Sequence, residues 1–158
     1  MLLVPILVDA GLLALYLAAP LDNPLSTGGL LVLMAAVLLV LVLVMWELRA
    51  LMGAEHPRLR ALGILISSFP MLILPFAGAY VWLANRSPEH FHQSLTHVAG
   101  LYFAMTVFTT VGFGDIAPRT EPAQLMVLTQ MLADVLYVGL FARLLVAAAR
   151  RAGPHTAD

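Results

Sequence analysis

Apolar residues run along this chain in long blocks, and polar residues gather in the short stretches between them. The first block extends from about Leu2 to Ala19 and contains Asp9. The second, Gly29 to Trp46, and the third, Ala61 to Ala84, carry no charge. The fourth, Ala123 to Ala149, is interrupted by Asp134 and Arg143. About twenty helical residues cross a bilayer core, so each block predicts a transmembrane helix. A fifth apolar run, Val98 to Val111, is too short to span and suits a re-entrant segment or a buried helix.

The connections agree with this reading. Pro20 to Gly28 is rich in turn residues. Glu47 to Arg60 and Asn85 to Thr96 are polar loops, and the tail after Arg151 is too short to fold. Composition strengthens the membrane assignment: 61% of the 158 residues are hydrophobic and 11% are charged. A soluble domain carries roughly twice that charged fraction, and one of this length cannot bury so much apolar surface. The chain has no cysteine, which excludes disulfides, zinc–thiolate sites and thiol nucleophiles. No Ser/His/Asp set, metal motif or phosphate loop stands out, so no enzyme and no cofactor is expected.

All eight basic residues are arginines. Six of them (Arg49, Arg58, Arg60, Arg143, Arg150 and Arg151) fall on one side of the four-span arrangement, and Arg86 and Arg119 fall on the other. The positive-inside rule then places both termini in the cytoplasm, in the plasma (inner) membrane, with the short fifth segment dipping in from outside. The first block has the apolar core of a signal peptide. However, it lacks a basic residue ahead of that core and contains Asp9, which disfavours that reading.

The segment Gly100 to Pro118 reads Gly-Leu-Tyr-Phe-Ala-Met-Thr-Val-Phe-Thr-Thr-Val-Gly-Phe-Gly-Asp-Ile-Ala-Pro. Its stretch Thr110 to Asp115, with the helices around it, resembles the pore module of the potassium-channel family: outer helix, pore helix, filter and inner helix. The resemblance covers roughly Ala61 to Arg151. It implies an all-α membrane protein with two N-terminal transmembrane helices, an outer helix, a re-entrant pore helix and filter, and an inner helix, assembled as a tetrameric pore. The chain divides accordingly into 1–60, the pore module 61–151 and a tail 152–158.

The chemistry of such a filter is physical. A dehydrated K+ needs several oxygens at once, and backbone carbonyls stacked in rings supply them. A backbone that aims successive carbonyls inward must alternate in handedness, so glycine is needed where φ becomes positive. Gly112 and Gly114 occupy such places. By resemblance, Thr110, Val111, Gly112 and Phe113 contribute the ion-binding carbonyls, and the Thr110 hydroxyl adds the innermost ring. Val111 and Phe113 then turn their side chains back into protein as braces. One loop gives one oxygen per ring. A chain with a single motif must therefore form a homotetramer, with K+ as the permeant ion, lipid as its surroundings and no nucleic-acid partner.

The run before the motif is expected to be a short helix capped by Ser94 or Thr96, its C-terminal dipole favouring a cation in the cavity. The resemblance assigns Tyr102 and Phe103 to an aromatic cuff around the filter. It puts Thr106 where some members carry a glutamate that bonds the aspartate after the filter, which makes Tyr102 the candidate partner of Asp115. In the inner helix, spacing aligns Gln130, Asp134, Val138 and Ala142. That stripe could line the cavity, or Asp134 could sit at a subunit contact bonded through Tyr137 or Thr129. Gly139 could be a hinge or, the favoured reading, a small residue for close helix packing. His90, His92 and His97 precede the pore helix and are read as solvated loop residues rather than as pH sensors. No helix repeats arginine at every third position, so no voltage sensor is expected. The alternatives are a weakly selective cation channel, or a non-conducting scaffold or regulatory subunit that keeps the pore fold.

Overall fold

The structure, a computed structural model, describes residues 3–19 and 57–150. Among the described residues there are four α-helices, α1 (Leu3–Ala18), α2 (Pro57–Arg86), α3 (His97–Phe108) and α4 (Glu121–Arg150), with a 3₁₀ turn at Pro88–His90. No strand occurs among the described residues. The protein is an all-α membrane protein. The predicted span Gly29–Trp46, the turn Pro20–Gly28, the loop up to residue 56 and the tail after Arg150 lie outside the described residues.

Among the described residues, two segments are long and apolar enough to cross a bilayer, Ser68–Arg86 with 19 residues and Glu121–Arg143 with 23. At 1.5 Å per residue they reach about 28 and 34 Å, which matches a hydrocarbon core of about 30 Å. Helix α2 starts at Pro57, earlier than the hydrophobic pattern indicates, so Pro57 to Arg60 belong to the helix and not to a loop. A proline at the first helical position costs nothing there, because that N–H has no intrahelical acceptor. The domain boundary drawn at residue 61 therefore falls inside α2. Pro70 and Pro75 lie within the helix and offer no N–H to the carbonyl four residues before each.

Helix α2 is the hub, and α1, α3 and α4 all pack on it. Ile73, Ala77, Tyr80, Val81 and Ala84 recur at helical spacing and are buried, forming the stripe that faces α3 and the loop before it. Tyr80, Phe91 and Phe103 meet edge to face, with centroids 4.9–6.0 Å apart. Helices α2 and α3 approach so closely at Gly100 that a Cβ there would collide with the Val81 Cγ2 methyl and stand 2.9 Å from the Ala77 carbonyl oxygen. Leu12, Tyr16 and Ala19 carry α1 into the same core.

The loop joining α2 to α3 is pinned from both ends. Asn85 Nδ2 donates to the Leu95 carbonyl at 3.1 Å, and the Leu95 N–H donates to Asn85 Oδ1 at 3.2 Å. Thr96, not Ser94, caps α3: its Oγ1 accepts from the Ala99 N–H at 3.2 Å. These fixings set where α3 begins, and hence where the segment after it must end.

Candidate ion-conducting site

Helix α3 ends at Phe108, and the chain turns back along it. The Thr110 N–H donates to the Val107 carbonyl at 3.0 Å, and the Val111 and Gly112 N–H groups donate to the Thr106 carbonyl at 3.1 and 3.3 Å. These bonds fix more than the N–H groups. In a planar trans peptide the C=O of the preceding residue points opposite to the N–H, and no peptide among the described residues is cis. The carbonyls of Thr109, Thr110 and Val111 therefore all face away from the end of α3, on one side of the chain. In an ordinary strand successive carbonyls alternate in direction.

Backbone handedness explains how one-sidedness is reached. Thr110, Gly112 and Gly114 have φ of 59°, 52° and 80°, while Val111 and Phe113 stay outside the positive region. The alternation runs through the whole segment. A Cβ on Gly112 or Gly114 would meet nothing within 4 Å, so dihedral angle and not space demands glycine at both places. Thr110 is the surprise. A β-branched residue at positive φ is an outlier, at a cost of about 1–3 kcal/mol. No sequence signal marks it, since β-branching argues for ordinary extended backbone. Strain of this kind persists where surrounding bonds over-determine it, here the two hydrogen bonds on either side of Thr110.

The side chains of the segment lie on the protomer surface. Val111 is 55% exposed and Phe113 69% exposed, so the expected bracing by Val111 finds no counterpart within one protomer. Phe113 stacks on Tyr102, with rings 10° apart in angle and centroids at 6.2 Å. The Tyr102 hydroxyl lies near the Asp115 carboxylate, its candidate partner. Ile116, the next residue, is buried and anchors the chain as it leaves the site.

The other supports differ from expectation. Phe103 is not part of a cuff; it is 5% exposed and points into the α2 aromatic cluster. Adjacent helical residues project about 100° apart, and here Tyr102 lies beside Phe113 while Phe103 turns to α2. Thr106 is buried, with its Oγ1 donating to the Phe103 carbonyl at 2.8 Å. What the site takes from it is its backbone oxygen, shared by two N–H groups.

The predicted inner-helix stripe splits. Gln130 is fully buried: its Oε1 accepts from the Tyr80 hydroxyl at 2.7 Å, and its Nε2 donates to the Ala104 carbonyl at 2.9 Å and to Asp134 Oδ2 at 3.2 Å. Asp134 is 6% exposed. Both residues are buried within their own protomer. Within the protomer, the Thr129 hydroxyl donates to the Leu125 carbonyl and the Tyr137 hydroxyl meets that of Ser68. Val138 and Ala142 lie on the exposed side with Leu132, Val135 and Leu136. Gly139 is there too, and a Cβ on it would meet nothing within 4 Å, so no close packing inside the protomer requires it. The rotation of α4 separates these residues because an advance of four leaves a 40° drift, which reaches 80° between Gln130 and Val138.

The histidines also divide. His92 is exposed, as a solvated loop residue should be. His90 is not: its Nδ1 lies 2.5 Å from the Thr120 hydroxyl, and its carbonyl accepts from the Arg119 N–H at 2.9 Å. His97 is half-buried, with its Nε2 3.0 Å from the Ala19 carbonyl. Sequence reading missed Tyr80 and Tyr16, whose hydroxyls lie inside apolar blocks, and Asn85, which opens a polar loop. A tyrosine or asparagine there is the only sign that a buried acceptor awaits it.

This geometry has a known setting. The ion channel family matches residues 68–151, just over half of the chain. Among curated proteins, the chain is 30% identical to a two pore potassium channel of Oryza sativa subsp. japonica, over 56% of this chain and 24% of that one. It is 33% identical to the potassium voltage-gated channel protein eag of Drosophila melanogaster, over 40% of this chain and 6% of that one. It is 41% identical to a voltage-gated delayed rectifier potassium channel of Homo sapiens, over 40% and 6%. The chain thus spans a quarter or less of these relatives' lengths. No solved structure matches it. The chain belongs to the ion channel family, a family of channels and not of enzymes.

Proposed function

We propose that the chain is one subunit of a homotetrameric channel that conducts K+ passively across the plasma membrane. Thr110, Val111, Gly112 and Phe113 form its selectivity filter. One observation carries this reading: successive carbonyls at Thr109, Thr110 and Val111 face one side, away from the N–H groups held by α3. The handedness alternation through Gly112 and Gly114 extends that ladder over Phe113. Four such ladders around an axis make rings of four oxygens, which replace the hydration shell of K+. The names of the three relatives, all potassium channels, support the choice of ion.

The exposed apolar surface supports assembly. Val111 and Phe113 in the segment, and Leu125, Leu128, Leu132, Val135 and Leu136 on α4, leave a single protomer with its filter and inner helix bare. A second copy covers the side-chain face of the filter and part of α4, while the remainder of α4 borders the cavity. Both termini lie in the cytoplasm: six arginines against two set that direction.

The test is flux. Purified protein in liposomes, given opposed K+ and Na+ gradients, should set the membrane at a potential governed by K+. Equal permeability to the two ions would leave a weakly selective cation channel, and absence of flux from verified tetramers would leave a scaffold.

A further inference from the structure

Helix α1 lies outside the span matched to the ion channel family, which begins at residue 68. It nevertheless touches the start of α3 through a reciprocal pair of bonds. The Tyr16 hydroxyl donates to the His97 carbonyl at 2.5 Å, and His97 Nε2 donates to the Ala19 carbonyl at 3.0 Å. The two rings meet edge to face at 5.3 Å. Tyr16 is 6% exposed, and its hydroxyl stands 3.3 Å from where a Cβ on Gly100 would be. A side chain of α1 thus bonds the first residue of α3, and that residue's side chain bonds Ala19, just after α1.

We infer that α1 is a latch on the outer end of the pore helix, and that Tyr16 and His97 are positioning residues for the filter. The inference rests on the filter reading above. Its mechanics follow from the length of α3, 12 residues or about 18 Å, and from what holds each part. The outer end is held by the latch and by the Asn85–Leu95 pair just before it. The middle is held by Gln130 at the Ala104 carbonyl, and the inner end presents the Thr106 carbonyl that holds Val111 and Gly112.

Helix α3 is short, hydrogen-bonded throughout and pinned near Ala104, so it moves as a lever. His97 is seven residues from that pivot and Thr106 two, arms of about 10 Å and 3 Å. A swing of about 1 Å at the latch therefore shifts Thr106 by roughly 0.3 Å, and the filter N–H groups with it. That displacement is comparable with the difference in radius between K+ and Na+. A latch at the far end of the helix can thus decide how well the rings fit the ion.

The test uses full-length tetramers in liposomes, read by reversal potential under mixed K+ and Na+. Tyr16→Phe keeps the ring and removes one donor. His97→Leu removes the other, and His97→Gln restores an N–H donor at similar reach. Leu17→Ala, an exposed residue of the same helix, is the control. A hydrogen bond of ordinary net worth shifts the latched population about threefold to tenfold. Tyr16→Phe and His97→Leu should each lower the K+/Na+ permeability ratio by about threefold or more, while His97→Gln and Leu17→Ala keep it. Tetramer yield, measured alongside, separates a purely structural role, which lowers yield and leaves the ratio of surviving channels intact. Unchanged ratios in Tyr16→Phe and His97→Leu, with a K+-selective parent, overturn the latch. An unselective parent channel overturns the filter reading instead.

Discussion

Gly112→Ala tests the filter at its backbone. Gly112 has φ of 52°, and an added Cβ meets no atom within 4 Å, so no steric collision inside the protomer enters the cost. What remains is the left-handed conformation itself, about 1–2 kcal/mol for an L-residue with a side chain. Four copies in one tetramer raise this to roughly 4–8 kcal/mol if the ladder must hold in every subunit at once. At about 1.4 kcal/mol per factor of ten, the intact ladder loses roughly three to six orders of magnitude in population against relaxed alternatives. Relaxation takes the Gly112 peptide out of alternation, so its carbonyl leaves the common side. Insertion is set by the apolar spans and should not change. The assay is reversal potential in a planar bilayer with mixed K+ and Na+, on variant tetramers confirmed by mass. Discrimination between the ions, or all current, should be lost. Wild-type selectivity in Gly112→Ala would show that alternation at this residue does not select the ion, and the filter assignment would fall.

Other outcomes follow from the packing. Thr110→Ala deletes a hydroxyl ring yet leaves every carbonyl, so selective conduction should persist with altered conductance; loss as complete as in Gly112→Ala contradicts the carbonyl ladder. Gly100→Ala pushes a Cβ onto Val81 and the Ala77 backbone, which should destabilise each protomer by about 1–3 kcal/mol, seen as a lower midpoint in thermal dissociation of the tetramer. Gln130→Leu strips hydrogen bonds from the Tyr80 hydroxyl and from Asp134, a loss of about 1–3 kcal/mol by the same measurement. Asp134→Asn should leave single-channel conductance and block by internal cations unchanged, because the carboxylate faces its own protomer; a clear fall in either would return Asp134 to the cavity. Single cysteines placed in this cysteine-free chain at Ser87 and at Arg151 should label from outside and from inside intact cells, respectively; the reverse would invert the topology.

Features whose physics is local could be read from the residues alone. Apolar blocks predict helices, and the four described helices fall where such blocks or the short run before the motif lie. Gly112 and Gly114 were legible because positive φ selects glycine at a single position, whatever packs around it. The proximity of Tyr102 to Asp115 was legible because the motif fixes their spacing and α3 ends between them. Tertiary structure alone decided the rest. The azimuth of α4 depends on which neighbours it packs against, and that choice buried Gln130 and Asp134 and turned Val138 outward. Phe103 went to the aromatic cluster for the same reason, since a helix shows one face to one neighbour. The strained Thr110 is imposed by backbone N–H bonds donated to the Thr106 and Val107 carbonyls, against its own preference. The latch of Tyr16 and His97 joins residues 81 apart, and no local rule relates positions at that separation. Hydropathy measures how much of a helix avoids water, but not which side of it meets which partner.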